Sequence, residues 1–149
     1  MLAYPAKTYR LLAVDDEEDV LELYHTILAP QPLSPAHHLF AVEEDSDPNN
    51  TLQAYFDKET NFSFDRASQG EEAVEAVRQA TALSAPYAVA FIDIRMPPGI
   101  DGLQTATQIR EIDPNIQIFI ITAFSDYSVE QIQHQLSHHV VVLNKPFYP

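Results

Sequence analysis

Apolar runs of strand length alternate with helical patterns along most of this chain. Continuous runs lie at Arg10 to Val14, Tyr87 to Ile92, Ile116 to Ile121 and Val140 to Leu143, and a shorter alternating one at Phe62 to Phe64. Apolar residues recur at helical spacing after each of the first four strands. Strands that alternate with helices predict an α/β fold, here (βα)4β, whose parallel sheet carries helices on both faces.

Cap and stop signals support three of the four helices. Ser68 with Glu71, and Ser128 with Gln131, have the spacing of capping boxes at the starts of the second and fourth helices. Asp113-Pro114 is expected to end the third helix.

Residues 30–60 interrupt the alternation. This stretch contains four prolines and the acidic run Glu43 to Asp47, and only Thr51 to Phe56 has the spacing of a short helix. A long irregular stretch inside a compact domain is either functional or disordered. We therefore expect a single domain over 1–149 with an insertion at 30–60, between the first helix and the second strand.

Composition excludes several classes of function. The chain has 149 residues with 22 acidic and 8 basic side chains, a net charge of −14, so direct binding of nucleic acid is not expected. The absence of cysteine excludes disulfides and thiolate metal sites and fits a cytoplasmic protein. No apolar run approaches the roughly 20 residues that span a bilayer, so membrane insertion is not expected. With only three glycines, the chain contains no Walker loop and no dinucleotide fingerprint.

Charged or hydroxyl side chains follow four of the predicted strands. Asp15-Asp16-Glu17, Asp93, Thr122 and Lys145 lie where strands of one parallel sheet end, and open α/β sheets bind their ligands at that edge. Clustered carboxylates repel one another unless a cation is present, and oxygen ligands favour Mg2+. Taken singly, the acids are also typical of a solvated helix start or turn, and the lysine of an exposed cation.

The combination resembles the receiver domain of two-component response regulators. The residues that carry the resemblance are Val14 to Glu17, Ile92-Asp93 with Met96-Pro97 and Asp101-Gly102, Ile121 to Ala123, and Lys145 to Phe147. It implies a flavodoxin-like doubly wound sheet of five parallel strands in the order 2-1-3-4-5. The sequence from Arg95 to Gly102 and from Thr122 to Ser128 is similar to that of receivers attached to sensor-kinase or cyclic-dinucleotide output modules.

The resemblance also implies a role for each site residue. Asp93 would accept a phosphoryl group from the phosphohistidine of a histidine kinase or histidine phosphotransfer protein. Asp15, Asp16, Asp93 and the backbone carbonyl of Arg95 would bind Mg2+, and Thr122 and Lys145 would contact the phosphoryl group. A cis peptide bond between Lys145 and Pro146 is expected.

Three features depart from the family pattern: Val142, the insertion at 30–60 and the missing fifth helix. Val142 stands where receivers usually have an aromatic residue, so the response is expected to use the segment Phe124 to Ser128. A fifth helix is not encoded after the last strand, which suggests a fragment of a longer protein with an output domain beyond Pro149. In receivers the missing helix forms part of a common dimer surface, so this chain has only part of that surface. A homodimer stays a candidate partner. His37-His38 and His138-His139 are expected to be surface residues.

Two other classes of function stay open at this point. A Mg2+-dependent aspartyl-phosphate hydrolase of the haloacid dehalogenase type needs Asp-x-Asp after the first strand, and Asp15-Asp16-Glu17 does not supply it. A receiver-like module that is never phosphorylated is the other alternative. All acceptor and contact residues except the aromatic are present, which argues against the second of these alternatives.

The positions of Arg95 and Phe124 predict slow loss of a phosphoryl group. They follow Asp93 and Thr122 by two residues, and in receivers these positions flank the path of the hydrolytic water. Replacing both by alanine should shorten the lifetime of the adduct, measured by its decay after removal of the donor. An unchanged lifetime would mean that both side chains simply lie on the surface.

Overall fold

A computed structural model describes residues 8–28, 61–123 and 127–145. Its strands are β1 (Thr8–Val14), β2 (Asn61–Ala67), β3 (Val89–Asp93), β4 (Gln117–Thr122) and β5 (Val140–Asn144). Its helices are α1 (Glu18–Leu28), α2 (Gly70–Ala82), α3 (Gly102–Ile112) and α4 (Val129–Leu136). The strands form one sheet in the order β2-β1-β3-β4-β5, and every pair is parallel. This is the predicted flavodoxin-like architecture.

The two faces of the sheet are covered by different helices. One face packs with α2, α3 and α4 into the main core, to which the sheet contributes alternate residues such as Leu12, Ile92 and Ile120. The opposite face packs against α1, where Leu21 is buried. On that face Val141 in the edge strand β5 is 39% exposed. The edge strand is therefore incompletely covered by the described residues, as the sequence suggested.

The strand register aligns the carboxyl ends of the central strands. Val14 pairs with Ile92, Asp93 with Ile121, and Thr122 with Asn144. The residues that follow these positions therefore meet at one edge, as the alternation of strands and helices predicted.

The helix ends confirm one capping box and contradict the other. Ser128 accepts a hydrogen bond from the Gln131 N–H, and the Gln131 side chain accepts from the Ser128 N–H. The box expected at Ser68 and Glu71 is wrong, because α2 begins one residue later with Gln69 as its N-cap. Ser68 instead donates to the carboxylate of Glu72, which leaves Glu71 available for another contact.

Arg110 joins two loops at the amino end of β4 and β5. Its guanidinium donates to the carbonyls of Pro114 and Ile116 and to those of His138 and His139. The imidazoles of His138 and His139 are exposed, as expected. Within the described ranges, no helix is both long enough and apolar enough to cross a membrane.

A polar cluster near the amino ends of β1 and β3 joins β1 to β2. Arg10 donates to Asp65 at 2.6 Å, and the Tyr87 hydroxyl donates to the same Asp65 oxygen at 2.7 Å. The Arg10 guanidinium also lies 4.4 Å from the centre of the Tyr87 ring. Burial alone would raise the pKa of Asp65, but the hydrogen bonds from Tyr87 and Arg10 outweigh it and hold the pKa below its usual value.

This lowered pKa predicts a pH-dependent contribution to stability. A carboxylate whose pKa is depressed by folding stabilises the protein above its unfolded pKa of about 3.9, and this contribution is lost as the pH falls through the folded pKa. Asp65→Asn should lower the free energy of unfolding by about 1 kcal/mol at pH 7, a modest value because the side chain is half exposed. Urea titrations should show the difference shrinking between about pH 5 and pH 3. A difference that stays constant over that range would contradict the prediction.

Candidate phosphoacceptor and metal site

Strand ends build the site, and each predicted side chain occupies the position expected for it. Asp15 follows β1 and is fully buried, and Asp93 ends β3 with 7% of its surface exposed. Thr122 ends β4 and is buried, while Lys145 directly follows β5. The backbone N–H of Lys145 donates to the Thr122 carbonyl at 2.8 Å. The ends of β4 and β5 are thereby fixed together beside the carboxylates.

One lysine bridges the two buried carboxylates. The Lys145 Nζ lies 3.1 Å from Asp15 Oδ2 and 3.1 Å from Asp93 Oδ1. The other oxygen of each carboxylate accepts a backbone hydrogen bond, Asp15 from Glu17 at 2.9 Å and Asp93 from Arg95 at 3.0 Å. These backbone bonds orient both side chains with their second oxygens toward the ammonium group.

The shifts in pKa follow from burial and mutual charge. Burial raises the pKa of Asp93, and the charge and hydrogen bond of Lys145 offset this only in part. Burial would lower the pKa of Lys145, but the negative charges of Asp93 and Asp15 outweigh it and raise the pKa. Lys145 therefore stays protonated at neutral pH and supplies the positive charge that two buried carboxylates need.

Three carboxylates could hold a metal ion at this edge. One oxygen from each of Asp15, Asp16 and Asp93 can be chosen so that all three lie within 4.8 Å of one another. Asp16 is exposed, so the cluster is open on one side. The donors are all hard oxygens without nitrogen or sulfur, and this set suits Mg2+, which keeps several waters. The residues therefore fit a divalent cation of that kind.

The loop after Asp93 is held against the end of β3. Gly102, the first residue of α3, donates its N–H to the Ile94 carbonyl at 2.8 Å. A Cβ at this position would overlap the carbonyl oxygen of Asp93, so only glycine allows α3 to begin so close. From α2, the Glu71 carboxylate accepts the Ile100 N–H at 3.1 Å, and Gln69 contacts the backbone of Pro97 and Gly99.

Sequence reasoning missed Tyr24, which lies near this cluster. Tyr24 shares the helical spacing of the apolar residues of α1, yet its hydroxyl is buried and has no hydrogen-bond partner in the described part of the chain. Its ring stacks on Phe91 at 5.6 Å, and burial followed by the charges of Asp15 and Asp93 raises its pKa. The sequence signal was weak, because a tyrosine at helical spacing is typical of a core position.

Some predictions fall on residues that the structure does not describe. They concern Phe124, the Lys145-Pro146 peptide bond, the insertion at 30–60 and His37-His38.

The structure has a cis peptide bond between Pro97 and Pro98. Val142 packs against the core from β5 as an aliphatic side chain, so no ring occupies that position.

Comparisons with known proteins agree with this fold and site. The family model described as response regulator receiver domain matches residues 39–149. The crystal structure of the response regulator TrrA from Thermotoga maritima, in complex with Mg2+-BeF, is 26% identical with a TM-score of 0.58 and covers 93% of this chain and 88% of that one. The receiver protein CpdR of Brucella abortus is 26% identical over 110 residues, 74% of this chain and 85% of its own.

The chain belongs to the response regulator receiver family, the class of signalling domain that its fold and strand-end cluster define. A cyclic di-GMP phosphodiesterase of Thermotoga maritima is 30% identical over 88 residues, or 59% of this chain. The aligned region spans 22% of that larger protein.

Mg2+ should stabilise the protein through this cluster. Binding to the native state alone adds about 1.4 kcal/mol to the free energy of unfolding at ten times the dissociation constant. Asp16→Asn should weaken this effect strongly, because it removes a carboxylate from the cluster without disturbing the Lys145 contacts. Chemical denaturation with and without Mg2+ measures the gain.

The control is Glu111→Gln, which changes an exposed acid on α3. It should keep the full stabilisation by Mg2+. An equal gain in Asp16→Asn and in the wild type would show that the ion acts elsewhere.

Proposed function

We propose that Asp93 is the phosphoacceptor of this receiver and takes the phosphoryl group of a phosphohistidine in the presence of Mg2+. One observation carries the proposal: the buried Asp93 and Asp15 carboxylates share the Lys145 ammonium at 3.1 Å each. Such a set places a carboxylate nucleophile beside a cation that can stabilise the negative charge of the transferred phosphoryl group.

The chain's own residues supply most of the chemistry. An Asp93 carboxylate oxygen forms a bond to phosphorus as the phosphorus–nitrogen bond of the donor breaks, and the electron pair of that bond returns to the imidazole. Lys145 lies 3.1 Å from the nucleophilic carboxylate and would hydrogen-bond a phosphoryl oxygen. Thr122, at the end of the neighbouring strand, would donate its hydroxyl to another.

A bound Mg2+ would offset the negative charge that accumulates on the transferred group. Asp15, Asp16 and Asp93 are the side chains that would hold it, with the Arg95 carbonyl as a further ligand. Asp93 needs to be ionised to act as nucleophile. Lys145 supports that state, because its charge opposes the rise in the pKa of Asp93 caused by burial.

The partners follow from this function. The phosphoryl donor would be a histidine kinase or a histidine phosphotransfer protein, and we place the domain in the cytoplasm with such donors. The receiver would regulate an output domain. The similarity to part of a cyclic di-GMP phosphodiesterase fits an output of that kind. A homodimer through the side of β5 also remains a prediction.

The two alternative functions are not favoured. Membership of the receiver family argues against a hydrolase of free phosphate esters. A receiver that is never phosphorylated would not need a buried acceptor, a lysine in contact with it and three clustered carboxylates together. The phosphorylation experiment separates all three functions, since the hydrolase predicts turnover and the inert module predicts no adduct.

Incubation with acetyl phosphate and Mg2+ should give a phosphoryl adduct that is stable in acid and labile in base. Asp93→Asn should reduce its amount by more than about tenfold, because the amide oxygen is a far weaker nucleophile. The adduct can be counted by intact-protein mass spectrometry under acidic conditions.

Asp113→Asn is a matched control for this substitution. Asp113 is 8% exposed and Asp93 7%, and each ends a secondary-structure element. Asp113 accepts the Asn115 N–H at 2.9 Å, a bond that asparagine can retain. Equal labelling of Asp93→Asn and the wild type would remove Asp93 from the proposed role.

A further inference from the structure

A tyrosine hydroxyl connects the segment that follows Asp93, at the end of β3, with the segment that follows Thr122, at the end of β4. The Tyr127 hydroxyl donates to Asp101 Oδ2 at 2.7 Å. Tyr127 lies on the segment between Thr122 and α4, and Asp101 lies between Asp93 and α3. The Tyr127 ring also packs against the main core. This contact therefore directly joins the segment that follows Asp93 to the segment that follows Thr122.

Both ends of this link are themselves fixed. Asp101 is the N-cap of α3, and its other carboxylate oxygen accepts the Gln104 N–H at 2.8 Å. Ser128, the residue after Tyr127, is the N-cap of α4. The hydroxyl contact therefore holds the first turns of two helices in a defined relation.

The link reaches the phosphoacceptor through the backbone. Gly102 follows Asp101 and lies so close to the Asp93 carbonyl that a Cβ would overlap it. Gly102 also donates to the Ile94 carbonyl at 2.8 Å. A displacement of the start of α3 must consequently move the backbone on which the Asp93 side chain is mounted.

A phosphoryl group on Asp93 would strain this arrangement. The group adds three oxygens beside a carboxylate that is only 7% exposed, and the Thr122 hydroxyl must approach one of them to donate a hydrogen bond. Tyr127 lies five residues after Thr122 in the chain, so a shift of Thr122 toward Asp93 would be passed along the chain to Tyr127. The short bond to Asp101 resists this movement because its acceptor is anchored to α3.

We propose that Tyr127 is a positioning residue for the chemistry at Asp93, and that its bond to Asp101 favours the unmodified arrangement of the site. The inference rests on the proposed function, in which Asp93 is phosphorylated. An interaction that is stronger in one of two states shifts the population toward that state. Removal of the Tyr127 hydroxyl therefore lowers the cost of reaching the phosphorylated arrangement.

The test compares rates of phosphorylation of Tyr127→Phe and the wild type. Phenylalanine keeps the ring and its packing and removes only the donor. With acetyl phosphate and saturating Mg2+, the initial rate of adduct formation should rise by about threefold to tenfold, the range of a modest coupling between sites. Loss of a contact that only stabilises the fold would not accelerate phosphorylation. An increase in the rate of adduct formation therefore distinguishes a positioning role of Tyr127 from a purely structural one.

Tyr87→Phe is the matched control. Its hydroxyl also donates to an aspartate at 2.7 Å, namely Asp65, but at the opposite end of the sheet. It should be phosphorylated at the wild-type rate. Acceleration in both variants would overturn the proposal, because it would then reflect general loosening of the fold.

Two outcomes distinguish failure of this positioning role from failure of the proposed function on which it rests. A wild type that forms no adduct overturns the proposed function and this inference with it. A wild type that forms the adduct at the same rate as Tyr127→Phe overturns the positioning role alone. Amide hydrogen exchange of the unmodified proteins gives an independent reading: faster exchange in the first turn of α4 in Tyr127→Phe supports the link, and unchanged exchange contradicts it.

Discussion

The site depends on a single ammonium group shared by two buried carboxylates. Asp15 and Asp93 would repel each other strongly in an environment of low dielectric constant, and Lys145 contacts both at 3.1 Å. Removing one partner of such an arrangement leaves an uncompensated buried charge. The same self-repulsion makes the edge of the sheet receptive to a further cation and to a group that lysine can contact. Stability of the folded site and its reactivity thus arise from the same three side chains.

The parallel sheet brings these side chains together, and the surrounding loops hold them in place. Asp15, Asp93 and Lys145 come from distant parts of the chain and meet because β1, β3 and β5 end at one edge. The loop after Asp93 is then fixed from two sides, by Glu71 of α2 and by Tyr127 before α4. Under the proposed function, a change at Asp93 would therefore be passed through these contacts to the first turns of the neighbouring helices.

The fold, and the meeting of Asp15, Asp93 and Lys145 at one edge of the sheet, could be predicted because they depend on simple rules. Apolar periodicity indicates the strands and parallel topology places their ends together, whereas the roles of Asp93 and Lys145 rest on the resemblance and stay predictions. The wrong prediction of a capping box at Ser68 shows the limit of local spacing. Both Glu71 and Glu72 are near enough in sequence to contact Ser68, and Glu72 makes the contact because Glu71 is bound to Ile100. The bond of Tyr127 to Asp101 could not be predicted either, because it depends on how two loops pack. No spacing rule relates side chains on separate loops.

Under the proposed function, phosphoryl transfer is directed to Asp93 by its position between Lys145 and the carboxylate cluster. Borohydride reduction of the phosphorylated protein converts an aspartyl phosphate to homoserine, which peptide mass spectrometry can assign to one residue. We expect homoserine at position 93, formed only when Mg2+ and a phosphodonor are both present. Homoserine at another aspartate, or an equal yield at position 93 without Mg2+, would contradict it.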